Sequence, residues 1–147
     1  MDRFLIRLSL GYPSAAEEKE MCIRAQQQHP IDTLRPITTA DEILKCQRGV
    51  RNISLGTDVC GYLVELTRAT REHPALRLGA SPRGSLGLFH TAQALAAIQG
   101  SASVTIEHVK TIAVSVLAHR LLVRKEALKD FPDGAAVIRD ILAKTSP

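Results

Sequence analysis

At 147 residues and 45% hydrophobic content, the chain is long enough for one core and too short for two full domains. A net charge of +4, with acidic residues spread throughout, excludes a polyanion-binding tail, and two Tyr, three Phe and no Trp leave little material for the base-stacking platforms of a single-strand binder. Cys22, Cys46 and Cys60 form no C-x-x-C pair and no apolar run reaches the length of a membrane span, so reduced thiols and a cytoplasmic location are expected.

Phe4, Ile6, Leu8 and Leu10 alternate with other residues up to Gly11-Tyr12-Pro13, which predicts a strand followed by a breaker. No later segment offers it an equal partner. It is therefore expected to be an orphan, mobile or paired edge to edge with another copy, its sheet lying outside these residues. Ser14 and Glu17 spell a capping box opening a polar helix that runs to about His29, and Pro30 and Pro36 frame a linker. Thr39 and Glu42 spell a second box, ahead of a helix of about three turns carrying Ile43, Leu44, Gln47 and Val50. Asn52 to Leu55 is a candidate extended stretch. Thr57 or Asp58 caps a helix in which Val59, Tyr62, Leu63, Leu66 and Ala69 recur at helical spacing, ending at His73-Pro74.

The stretch Gly79–Gly100 follows. Ser81 suits the cap, Pro82 the first helical position and Gly100 a left-handed terminator, so a helix is expected from about Pro82 to Gln99. Leu86, Phe89, Ala92, Leu95, Ala96 and Ile98 cover most of its circumference, the pattern of a helix enclosed by others. Arg83 stands out, because a cation in the first turn faces the positive end of the helix dipole unless an anion, a phosphate above all, compensates it. Thr105 caps a further helix with Ile106, Val109, Ile112, Ala113, Val116 and Leu117 on one face. Leu121 to Val123 is a candidate extended stretch, and Asp133 caps a last helix with Val137, Ile138, Ile141 and Leu142 facing inward. The fold class is all-α: a helical bundle behind one unpaired strand.

Several site patterns fail on inspection. Gly79 and Gly84 nearly spell a P-loop, but Ser85 and Leu86 stand where Lys and Ser/Thr belong. Ser81 nearly sits in a nucleophile elbow, but Arg83 replaces the closing glycine. His73, His90, His108 and His119 fall into no metal-ligand spacing, so no residue is assigned to a metal. Arg68, Arg71, Arg77 and Arg83 make a basic cluster interrupted only by Glu72, to be read as a solvated face or as an anion site.

The stretches MDRFLIRLSLGYPSAAEEKEM (1–21), TRATREHPALRLGASPRGSLGL (67–88) and VTIEHVKTIAVSVLAHRL (104–121) resemble the C-terminal part of a MoxR-type AAA+ ATPase: the region after the sensor 1 strand, the approach to sensor 2, and the lid helix. The resemblance covers essentially the whole chain. It implies that residues 1–13 are a remnant of the ATPase core, 14–38 a connecting helix and linker, and 39–147 the helical lid. It also implies that Arg3, in D-R-F, is an arginine finger offered to a neighbouring subunit's nucleotide. By the same resemblance Arg83, in S-P-R with Ser81 and Pro82, corresponds to the sensor 2 arginine that touches the nucleotide of its own subunit. ATP and Mg²⁺ are implied for the parent, along with its N-terminal core, a homo-oligomeric hexameric ring and a protein client such as a von Willebrand factor A-domain protein. Because the Walker A, Walker B and sensor 1 residues of such an enzyme belong upstream of D-R-F, no ATP turnover is expected of these residues alone. A free-standing helical adaptor and a basic DNA-binding module are the alternative readings.

Overall fold

The computed structural model describes residues 3–27 and 29–146. Met1 and Asp2, and with them the start of D-R-F, lie outside the described residues, as do Gln28 and Pro147. By its contacts the chain divides into two units, one of Met1–Leu8 with Gln47–Pro147 and one of Ser9–Cys46.

The smaller unit holds helix α1 (Ala15–Gln27), a 3-10 turn (Pro30–Thr33) and the start of α2 (Ala40–Val50). Both capping boxes form. The Ser14 amide donates to Glu17 Oε2 at 2.7 Å and the Thr39 amide to Glu42 Oε2 at 2.8 Å. These contacts hold both carboxyls below the usual range, Glu17 chiefly through the Ser14 hydroxyl and Glu42 chiefly through the Thr39 amide. Neither helix buries anything in this unit: every residue of Ser9–Cys46 whose exposure is described is exposed.

The larger unit carries the core. Helices α3 (Thr57–Glu72), α4 (Pro82–Ile98), α5 (Ile106–Leu117) and α6 (Gly134–Lys144) pack as α3 on α4, α4 on α5, and α6 on both α3 and α5. Leu66, Leu88, Val109, Val116, Leu117, Val137 and Ile138 are buried almost completely where they meet. Two short ladders tie the connections together. Strand β1 (Ser54–Leu55) pairs in parallel with β3 (Ser103–Val104), and β2 (Leu76–Leu78) pairs antiparallel with β4 (Leu122–Val123). The stretches at 52–55 and 121–123 that the sequence offers as extended thus contribute real strands.

The caps explain where the helices start and stop. Thr105 and His108 form a reciprocal box at α5, and Asp133 Oδ1 accepts the Ala136 amide at 2.8 Å at α6. Gly100, at φ 70°, closes α4 with its own amide on Ala97 O and the Ser101 amide on Ala96 O, as the left-handed terminator requires. At α3 the cap position falls to Gly56 and not to Thr57 or Asp58, and no side chain caps it. His73 Nε2 lies 3.1 Å from Asp140 Oδ2 and Lys144 Nζ 2.6 Å from the same oxygen, a clasp between the end of α3 and α6. Lys144 first, then His73, hold the Asp140 carboxyl below its ordinary range.

Two further expectations change. Helix α4 is not enclosed all round: Leu86 and Ile98 are 58% and 84% exposed, and the buried stripe is instead Gly84, Leu88, Ala92 and Ala96 with Gly87 beside it. Small residues at i, i+4 spacing let α5 and α3 approach closely, so the covered face is set by size rather than by hydrophobicity. The alternation at Phe4–Leu10 forms no ladder. Its start is held within the chain, however: the Arg7 amide donates to Ser115 O at 2.9 Å, and Phe4 O and Leu5 O accept from side chains that follow α5. At Phe4, Leu5 and Arg7 the backbone groups thus find partners inside the chain, where the sequence pattern offers none.

Candidate functional site

The turn before α4 is built by the last turns of α3. Gly79 lies against the Thr70 and Arg71 backbone with no room for a side chain. Both main-chain groups of Ala80 are then satisfied from α3: its amide donates to Thr70 Oγ1 at 2.9 Å and its carbonyl accepts from Arg71 Nε at 2.7 Å. Thr70 in turn donates to Thr67 O at 2.6 Å, and both threonines are fully buried. Ser81 occupies the cap position in extended conformation without a side-chain capping bond, Pro82 opens the helix, and the first turn carries no acidic residue. Arg83 leaves this rigid corner as an exposed cation.

Two clefts open beside it. The first, about 260 Å³, is walled by Arg3, Arg83, Arg120 and His90 above Leu5 and Leu86; among the described residues its lining holds no carboxylate. The second, about 520 Å³, lies between Arg71, Arg77 and the loop 78–82, and shares Arg120 with the first. Arg68 belongs to neither; it lines a groove on α3 beside Glu65 and Glu72. The basic cluster of the sequence is thus three separate settings, and the guanidinium that joins two of them is one that pattern reading passes over. Arg120, only 7% exposed, ends the 3-10 turn Ala118–Arg120 after α5. The one available signal is a charge inside an apolar run, since it stands between Leu117 and Leu121-Leu122-Val123.

The histidines are mostly accounted for locally. His73 joins the Asp140 clasp, and His108 takes the Thr105 amide on Nδ1 at 2.9 Å while its Nε2 meets Gln99 Oε1 at 2.9 Å. His119 Nε2 donates to Phe4 O at 3.0 Å, and His90 remains exposed at the first cleft. Among the described residues no group of His, Cys, Asp and Glu converges as metal ligands would.

The sequence profile of the AAA lid domain family matches residues 68–141, a little over half of the chain and a span that contains Ser81, Pro82, Arg83 and Arg120. The chain belongs to the AAA lid domain family. Among its relatives, the uncharacterized protein YeaC of Bacillus subtilis is 35% identical over 97% of this chain and 45% of its own length. The chaperone MoxR1 of Mycobacterium tuberculosis is 32% identical over 96% of this chain and 39% of its own. A solved structure of a candidate ATPase from Cytophaga hutchinsonii superposes with a TM-score of 0.86 at 25% identity, over 99% of this chain and 47% of that one. The chain therefore spans less than half the length of the relatives it matches. The MoxR-type lid and its helical fold stand on these matches. Arg3 lies outside the matched span.

Proposed function

We propose that this chain serves nucleotide hydrolysis in a MoxR-type AAA+ ATPase by presenting two guanidinium groups, Arg3 and Arg83, to the phosphates of one bound nucleotide. The observation that carries the reading is their common cleft, which also holds Arg120 and, among the described residues, no acid to neutralise them. At about 260 Å³ it is smaller than the usual pocket for a whole small-molecule ligand, which suits the phosphate end of a nucleotide held mainly by another surface. Planar guanidinium groups bind phosphate oxygens with charge-assisted, paired hydrogen bonds, and they act on charge as it builds up in the transition state. ATP and Mg²⁺ belong, in this reading, to the ATPase core that such a lid accompanies. In this reading residues 1–13 end that core, 14–38 connect, and 39–147 form the lid of a subunit in a cytoplasmic homo-oligomeric ring acting on a protein client, with a von Willebrand factor A-domain partner as one form of it.

By resemblance alone the two arginines serve different nucleotides, Arg3 the neighbour's and Arg83 its own. Their shared cleft favours a single one, reached by both from the neighbouring subunit. Subunit mixing tests this in the complete ATPase. Rings are formed from subunits carrying Arg83→Ala and subunits with an intact Arg83 but a disabled phosphate-cradling loop. Each parent ring is inactive or weak, and mixed rings are expected to regain turnover, because the loop-disabled subunit lends its Arg83 to the intact loop next door. Proven mixed rings that stay inactive, while the same mixture made with Arg3→Ala recovers, assign Arg83 to its own subunit's nucleotide and overturn the reading.

A further inference from the structure

We infer that Arg120 is a positioning residue: it holds the Arg3-bearing segment against the lid, so that Arg3 and Arg83 keep a fixed separation whatever the lid does. The inference rests on the proposed role of Arg3 and extends it to a side chain that acts through Arg3. Arg120 sits in the 3-10 turn after α5 with its guanidinium beside α4. Its Nε donates to Val116 O at 2.8 Å, and Nη2 donates to Phe4 O at 2.7 Å and to Leu5 O at 3.3 Å. One planar group therefore spans α5 and the two residues that directly follow Arg3. The neighbouring His119 gives Phe4 O a second donor, and the Arg7 amide closes the segment onto Ser115 O.

The room for this fork comes from α4. A Cβ on Gly87 would lie 3.2 Å from Val116 Cγ1, 3.4 Å from Arg120 Nη2 and 3.7 Å from Leu5 Cδ1. Gly87 is thus the notch in which the helix bearing Arg83, the fork and the segment bearing Arg3 meet. Burial sharpens the effect, because a cation this enclosed must keep its hydrogen bonds satisfied, and moving residues 4 and 5 away would leave both the guanidinium and two carbonyls short of partners. Lysine is no substitute: a point charge on a flexible stem has neither the plane nor the reach to hold Val116 O and two successive carbonyls at once.

Two measurements test this. Amide exchange on the chain follows Arg7, whose N–H is bonded to Ser115 O, against the α5 interior amides of Val109 to Ala113. Arg120→Lys is expected to speed exchange at Arg7 by about tenfold or more while the α5 interior is unchanged, the sign of local rather than global opening. Gly87→Val, which keeps the arginine and adds two methyls beyond a Cβ that would already touch Val116, the guanidinium and Leu5, is the second variant; it gives the same local response even if Arg120→Lys fails to fold. In the complete ATPase, a double-mutant cycle of Arg120→Lys with Arg3→Ala is expected to be non-additive, with the single Arg120→Lys loss falling on kcat and not on KM. Unchanged exchange at Arg7 in both variants overturns the inference, as does a cycle in which the two losses multiply, because a residue acting through Arg3 has nothing left to lose once Arg3 is gone. If Arg3→Ala alone leaves turnover intact, the reading of Arg3 fails, whereas the exchange result still decides whether Arg120 holds the segment.

Discussion

Arg83→Ala in the ATPase that carries this lid is expected to lower steady-state turnover by roughly ten- to a thousandfold, the range seen when a preorganised donor to transition-state charge is removed. The fold should not suffer. Arg83 is exposed, it stands in the first turn of α4, and no acidic residue shares that turn, so its removal takes a cation from the positive end of the helix dipole and leaves the melting temperature unchanged or slightly raised. Arg83→Lys should recover only part of the loss, since phosphate recognition by a fork depends on two parallel donors that an ammonium lacks. Turnover and thermal melts on wild type and both variants separate the outcomes. Full activity in Arg83→Ala would reduce the residue to a solvated surface charge, and an unfolded variant would make it structural.

Gly79→Ala is expected to do the opposite, damaging the fold first and the chemistry through it. A methyl there would lie 2.5 Å from Thr70 O, 2.6 Å from Arg71 Cα and 2.7 Å from Arg71 N, all main-chain atoms inside α3 that have no rotamer to escape into. The loop must lift off, and with it go the bonds that fix Ala80 between Thr70 and Arg71. A cost of roughly 3 kcal/mol or more is expected, at the upper end for overpacking. For a domain of this size that lowers the melting temperature by on the order of 10 to 20 °C. Gly61→Ala is the control: Gly61 lies within α3, the helix that Gly79 packs against, with open space around its Cβ position, and the change should be neutral or stabilising by roughly 0.5 to 1 kcal/mol. Equal melts for the two variants would show that the corner before α4 yields easily, and the rigid placement of Arg83 would then have to come from elsewhere.

Helix boundaries were the most legible part of this chain, because capping is local chemistry. Ser14 with Glu17, Thr39 with Glu42, Thr105, Asp133, Pro82 and Gly100 act within three or four residues of themselves, and the structure uses each where the pattern places it. Burial was less legible. Leu86 and Ile98 look like core in a hydrophobicity pattern, yet the face α4 covers is the one whose glycines and alanines admit a close neighbour, a property of the pair of helices and not of either sequence. The site was legible by halves: Arg83 announces itself through the misplaced charge at a helix start, but its convergence with Arg3, eighty positions earlier, depends on the fold. Arg120 was hidden for a further reason. Three of its partners, the carbonyls of Val116, Phe4 and Leu5, carry no side-chain signature, so no spacing or motif points to them.

The coreless stretch Ser9–Cys46 has a calorimetric consequence. The heat-capacity increment of unfolding measures apolar surface newly hydrated as structure is lost, and residues already hydrated in the native state add little to it. At about 12–15 cal/mol/K per residue, an evenly packed chain of this length would show roughly 1.8–2.2 kcal/mol/K, whereas the larger unit alone accounts for roughly 1.3–1.6 kcal/mol/K. A scanning experiment on this chain should return the smaller figure, with α1 and the front of α2 lost from the far-ultraviolet signal at temperatures where the calorimeter records almost nothing.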